Sequence, residues 1–196
     1  MSKATIWRFF KENTSLSDEA IAGIMGNFEA ESNNEACRVQ GDFTSDRRVS
    51  KQYANDTNNG VNNFIHDSKG WGLAQWTYWS RKQNLLNCCR SYGVGIENEE
   101  VQLRFFLSEM QNEYAATWRN LLICNSIYDA ASLVCCDYER PAFNNIAARA
   151  DYGNTIYKQY HGVETFPKPE PEPTPVDDDV TKAIKLLEEA IALLKG

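Results

Sequence analysis

Five of the six prolines in this 196-residue chain fall within Pro167-Lys-Pro-Glu-Pro-Glu-Pro-Thr-Pro175. Each proline removes a backbone donor and fixes φ, so neither a helix nor a central strand can pass through such a run. The chain must therefore fold in pieces: a domain over residues 1–165, a stiff extended linker over 166–176, and a short terminal segment over 177–196. In that last segment Val180, Ile184, Leu187, Ile191 and Leu194 repeat at spacings of 4, 3, 4 and 3 residues. This predicts an amphipathic helix with a heptad seam, headed by Asp177–Asp179 where the helix dipole favours anions. A helix this short is marginal alone in water, so it either docks on the domain or self-associates. Because the linker holds it away from the domain, residues 177–196 are a candidate homo-oligomerisation segment.

Charge narrows the function classes. The chain carries 20 Lys+Arg against 27 Asp+Glu, a net −7. Through Thr165 the balance is 16 against 20, and beyond it 4 against 7, which divides the −7 into −4 and −3. An acidic domain is a poor nucleic-acid binder, so no nucleic-acid partner is expected. No apolar run reaches the roughly 18 residues of a membrane span. The start, Met-Ser-Lys-Ala-Thr-Ile-Trp-Arg-Phe-Phe, lacks the apolar stretch of a signal peptide, so synthesis in a cytoplasm is expected.

The six cysteines, Cys37, Cys88, Cys89, Cys124, Cys135 and Cys136, include two adjacent pairs and no C-x-x-C spacing. Most read as reduced core residues, with no zinc site and no cofactor expected.

The main domain reads as mainly α. Apolar periodicity and end signals predict helices over 3–12, 18–32, 80–91, 99–112, 114–122, 127–139 and 143–160. Between Asn33 and Gly70 the periodicity vanishes into Asn, Asp, Ser and Gly. There Asn58-Asn59-Gly60 is a turn signal for a small β-hairpin.

Residues 18–32 carry the sharpest signal. At about 100° per residue, Ala20, Ile21, Ile24, Met25 and Phe28 form one apolar stripe. Ala22, Gly23, Gly26 and Ala30 form a second stripe of small residues. Glycine inside a helix costs about 1 kcal/mol relative to alanine, so another helix is expected to approach closely there. Glu31 falls in the apolar row, at the helix's C-terminal end. Burial and the negative end of the dipole both favour a protonated carboxyl, the form a general acid needs. The competing reading of Glu31 is a salt-bridged glutamate at a frayed end. Glu29, about 160° round the helix, is expected in solvent.

A second cluster, Gly70-Trp-Gly-Leu-Ala-Gln-Trp-Thr-Tyr-Trp79, sets Trp71, Trp76 and Tyr78 beside Gln75. Exposed aromatic rings suit sugar faces, and Gln75 could bond hydroxyls; the alternative is a hydrophobic anchor for the loop.

Taken together, Gly23-Ile-Met-Gly-Asn-Phe-Glu-Ala-Glu-Ser32 and Gly70-Trp-Gly-Leu-Ala-Gln-Trp76 resemble the phage tail lysozyme family. Ile6-Trp7 and Asp137-Tyr-Glu-Arg-Pro141 fit in order, and the likeness covers about residues 4–161. The resemblance implies an α+β lysozyme-like fold, a helical lobe with a small β-hairpin region across a cleft. It implies a bacteriolytic peptidoglycan hydrolase with Glu31 as catalytic acid; the small size favours an endolysin released through a holin-made hole over a lysozyme carried on the virion. It places Gln75 near the scissile bond and Tyr138-Glu139 on the opposite wall.

Cleavage of the β-1,4 bond from N-acetylmuramic acid to N-acetylglucosamine needs either a second carboxylate or a transglycosylase route without one. Asp42 and Asp46 are the leading candidates, then Asp67 and, more remotely, Glu139. Three other readings are weaker. A thiol peptidase would need Cys37 with His66 or His161. A non-catalytic wall-binding module would still bind walls as Glu31→Gln while the native chain clears none, and a pure assembly protein, suggested by the C-terminal helix alone, leaves the carboxylate in the apolar stripe unexplained.

Overall fold

A computed structural model describes residues 3–141 and 143–163. The expected linker and C-terminal helix, 166–196, lie outside the described residues. The described chain is mainly helical, in the order α1 (Lys3–Asn13), α2 (Asp18–Ser32), α3 (Arg48–Asn58), α4 (Trp79–Ser91), α5 (Glu99–Asn112), α6 (Ala115–Leu122), α7 (Ile127–Leu133) and α8 (Ile146–Tyr160). None of these helices is long and apolar enough to cross a membrane.

Helix α2 is the axis of the fold. Ser17 caps it, accepting from the Ala20 N–H at 3.0 Å. Asn33 closes it at φ 63°, a left-handed conformation that asparagine tolerates. Its apolar row packs where the pattern puts it, with the Phe28 and Phe106 rings edge to face at 5.1 Å and Phe10 edge-on to Phe106 at 6.0 Å. Its glycines do what their position suggests. A Cβ on Gly23 would lie 2.5 Å from the Ala130 Cβ of α7, and one on Gly26 would strike the Arg149 carbonyl of α8. The small-residue stripe ends there, since Ala30 is exposed. Glu29 departs from expectation too: it pairs with Lys3 at 2.8 Å and accepts from Asn34 at 2.6 Å.

The small β-hairpin is not found. Among the described residues the β-structure consists of isolated antiparallel bridges, Val39 with Trp71 and Trp71 with Trp76. Asn59 and Gly60 end a helix instead, α3, with Gly60 at φ 75°. That helix was hidden because its buried face is partly polar: Ser50, Tyr53, Ala54 and Thr57. The hydroxyls are satisfied internally, Ser50 by Asp42 and Thr57 by the Tyr53 carbonyl, so they can be buried without an apolar signature.

The expected helix over 127–139 also divides. After α7, residues Val134–Glu139 wind as a π-helical turn, closed by Arg140 at φ 50°. All six cysteines are free thiols; Cys89 and Cys135 are buried, while Cys136 is exposed rather than in the core.

Candidate active site

Gly26 decides where the site forms. With no side chain there, the α8 backbone lies against α2 at Arg149, and the Arg149 side chain turns back along α2. Its Nη1 donates to the buried Asn27 Oδ1 at 3.1 Å. Asn27 is oriented in turn by donating to the Gly23 and Ala131 carbonyls at 2.9 and 3.1 Å. So aligned, Arg149 bonds two carboxylates: Nη2 meets Glu31 Oε1 at 2.7 Å, and Nη1 meets Glu139 Oε2 at 2.6 Å. The Glu31 side chain is 21% exposed, and those of Glu139 and Arg149 are 3% and 7% exposed.

Two carboxylates and one guanidinium leave an excess negative charge in a largely buried place, and this favours uptake of a proton. Burial pushes the Glu139 carboxyl well above its ordinary range, and the neighbouring charge of Glu31 pushes the same way against Arg149. With both groups ionised, Glu139 Oε1 has no donor facing it. A proton on Glu139 would be shared with the neighbouring Glu31, whose hydrogen bond also raises the Glu139 carboxyl. Burial and the nearby Glu31 charge thus favour a protonated Glu139 at the buried end, and Glu31 lies at the open end. Glu31 does form the salt bridge of the competing reading, but with a protonatable second carboxyl in the same cluster.

Glu139 sits on the π-helical turn next to Tyr138, which is anchored firmly. The Tyr138 hydroxyl donates to Glu109 Oε2 at 2.6 Å, as does Trp76 Nε1 at 2.9 Å. Arg81 grips both Glu109 oxygens, at 2.7 and 2.8 Å, and lies 4.4 Å over the Tyr138 ring. Helical π-turns cluster at functional sites, and here the turn carries a carboxyl to Arg149.

The other expected site residues are placed differently. Trp71 and Trp76 are fully buried, with Trp71 stacked on Tyr53 at 5.3 Å, so the anchor reading describes them and neither offers a face to a sugar. Tyr138 and Glu139 are likewise buried and support the site from behind instead of forming an open wall. Gln75, at φ 48°, is half-buried and donates its amide to the Arg38 and Gly72 carbonyls at 3.2 and 2.9 Å. Tyr78 is exposed, its ring 6.1 Å from that of the likewise exposed Trp79.

Asp42 is buried and accepts from the Ser50 hydroxyl and N–H and from the Thr44 hydroxyl and N–H. These bonds, the Ser50 hydroxyl foremost, hold its carboxyl down at about 2. It caps the start of α3. Asp46 pairs with Arg48 at 2.7 Å at the surface. Asp67 accepts from the Tyr53 hydroxyl at 2.6 Å and from the buried Lys82 at 2.5 Å. Of the second-carboxylate candidates, the structure brings only Glu139 to the guanidinium that holds Glu31.

Burial pushes the Cys37 thiol up to about 11, the wrong direction for a nucleophile. His161 is bonded to Asp18 at 2.8 Å and stacked on Tyr157 at 4.3 Å.

Sequence reasoning missed Arg149, Asn27 and Glu109. Arg149 lies on the expected helix over 143–160, where no pattern singles it out, and the only pointer to it was the need for close approach at Gly26. The family model described as phage tail lysozyme matches residues 2–160 of this chain.

Proposed function

Since the chain belongs to the phage tail lysozyme family, which makes it a lysozyme-like peptidoglycan-degrading enzyme, we propose that it cleaves the β-1,4 bond between N-acetylmuramic acid and N-acetylglucosamine with Glu31 as general acid. The observation that carries this reading is the shared guanidinium of Arg149 under Glu31 and Glu139. Glu31 is the member that a glycan can touch. Glu139, too deeply buried to reach substrate, is a positioning residue that keeps a proton in the cluster. The proton held on Glu139 passes to Glu31 through the bond between them, and as the glycosidic bond lengthens and the sugar gains oxocarbenium character Glu31 delivers it to the leaving oxygen. Arg149 balances the two carboxylates left behind until the proton released by the attacking water or hydroxyl recharges the cluster.

Asp42 and Asp46 remain proposals for the base or nucleophile of a hydrolytic route. A second reading, a lytic transglycosylase relying on Glu31 alone, is favoured by the engagement of Asp42 with Ser50 and Thr44 and of Asp46 with Arg48. In that route the muramyl 6-hydroxyl attacks the anomeric carbon and gives a 1,6-anhydro end. The exposed Tyr78, and Gln75 behind it, are the proposed sugar contacts. The domain assignment, with oligomerisation through residues 177–196, and action as an endolysin after holin-type release complete the proposal. Mass spectrometry of soluble muropeptides tests the chemistry: reducing muramyl ends support hydrolysis, and anhydro ends support the transglycosylase.

A further inference from the structure

The π-helical turn Val134–Glu139 sends three consecutive side chains to three different helices. Asp137 Oδ2 accepts from the Thr117 hydroxyl of α6 at 2.9 Å. The Tyr138 hydroxyl donates to Glu109 Oε2 of α5 at 2.6 Å. Glu139 Oε2 accepts from Arg149 of α8 at 2.6 Å. Which side chain reaches which helix depends on register. The bond from the Arg140 N–H to the Cys135 carbonyl, at 2.8 Å, spans five residues where an α-helix spans four. In the α-helical alternative each side chain after the turn stands one position, about 100°, away round the axis. Glu139 would then leave Arg149.

The middle contact of the three is the deepest. Tyr138 is 1% exposed and Glu109 3%. The Tyr138 ring packs edge-on against Phe106 at 5.0 Å and Tyr114 at 4.9 Å. The two Glu109 oxygens receive four donors: Arg81 Nε and Nη2, Trp76 Nε1 and the Tyr138 hydroxyl. A buried ion pair adds little net stability over apolar residues of the same volume, and its best-attested use is to fix register. The Glu109–Arg81 pair fits that use. A buried carboxylate penalises any register that takes a donor away from it, and an apolar residue at 109 would not.

We propose that Glu109 is a positioning residue for the lytic reaction: by accepting the Tyr138 hydroxyl it selects the register that sets Glu139 against Arg149. Glu109 is too deeply buried to touch the glycan, and it acts through Glu139. This rests on the role given to Glu139 above.

The test is a double-mutant cycle between Tyr138→Phe and Glu139→Gln in the full chain, read as kcat and KM per folded molecule on solubilised cell-wall glycan. Tyr138→Phe deletes one hydroxyl and leaves Glu109 bonded to Arg81 and Trp76. It should lower kcat by about 5–10-fold and keep KM within about 2-fold, as a misplaced supporting group does. In the Glu139→Gln background the same change should cost less than about 2-fold, because the group being positioned is gone. A role confined to folding would lower both backgrounds by the same factor. Glu109→Gln should show the same pattern; should it fail to fold, Tyr138→Phe decides the matter. An unchanged kcat in Tyr138→Phe, or an equal factor in both backgrounds, overturns the proposal. If Glu139→Gln lowers kcat and Tyr138→Phe does not, this proposal alone falls. If Glu139→Gln leaves kcat unchanged, the role of Glu139 falls and this proposal with it. Failure of the lytic reading shows separately, as walls left intact by the native chain.

Discussion

Glu31 and Glu139 grip a single guanidinium: Arg149 reaches the first through Nη2 at 2.7 Å and the second through Nη1 at 2.6 Å. The two carboxyls are far apart in sequence and differ in exposure, 21% against 3%. One can meet a substrate, and the other can only act on its neighbour. This division of labour makes separate predictions for the three members of the cluster.

Glu139→Gln removes the group that holds the proton while leaving Arg149 and Glu31 in contact. Its carboxyl is raised by burial, so the proton is present below that raised value and is lost as pH rises through it. In the variant the alkaline limb of the kcat profile should move to lower pH. At neutral pH kcat should fall by about 10-fold or more, within the range that general acid catalysis spans. KM should stay within about 2-fold, because Glu139 does not touch the glycan. A kcat profile unchanged in position would remove Glu139 from the mechanism.

Arg149→Met leaves two carboxylates facing one another without their cation. Breaking a buried ion pair from one side costs about 3–5 kcal/mol, and that loss should appear in urea unfolding at pH 7. At pH 4 the deficit should shrink as the carboxyls take up protons. Glu139→Gln added to Arg149→Met should recover part of the loss at pH 7. An equal deficit at both pH values would show that packing, not charge, is what Arg149 contributes.

Asp42→Asn separates a structural aspartate from a catalytic one. The Asp42 carboxylate caps α3 and is held at about 2, so its contribution is present above the ordinary carboxylate value and is lost as pH falls toward 2. The variant should lose about 1–2 kcal/mol at neutral pH, the scale of a helix cap, and on the transglycosylase route, where Glu31 acts alone, kcat per folded molecule should be nearly unchanged. A fall in kcat of about 100-fold or more in a fully folded variant would instead make Asp42 the second catalytic carboxylate.

How much of this was legible depends on which residues carry the signal. Helix α2 could be read to its ends because its buried face is apolar at helical spacing and Ser17 caps it. Glu31 stood out because it broke an apolar row. Gly23 and Gly26 told of close approach, but not that the approaching residue at Gly26 is Arg149. Helix α3 escaped because Ser50 and Thr57 bury polar groups that find partners within the fold, and a hydrophobic pattern cannot register those. Glu109 escaped for a related reason: a carboxylate buried under Arg81, Trp76 and Tyr138 looks like a surface residue until its three partners, distant in sequence, are known. The Trp71 and Trp76 rings were visible as a cluster, yet their burial is decided by Tyr53 and Phe105 from elsewhere in the chain.

Glu99 gives a stability signature of its own. Its folded carboxyl is raised from 4.5 to about 7, so the folded state binds the extra proton between those values. Its contribution is fully present below 4.5 and is lost as pH rises through about 7. Relative to Glu99→Gln, the unaltered chain should lose up to about 3 kcal/mol across that window. Parallel unfolding curves for the two chains from pH 4 to pH 8 would contradict the raised value.

The central claim is that Glu31 delivers the proton that breaks the glycosidic bond. Its most direct test is turbidity clearance of purified cell walls at matched concentrations of folded native chain and Glu31→Gln. The account predicts clearance by the native chain and a loss of about 100-fold or more in Glu31→Gln, with circular dichroism and wall binding retained. Equal clearance by the two chains would contradict it.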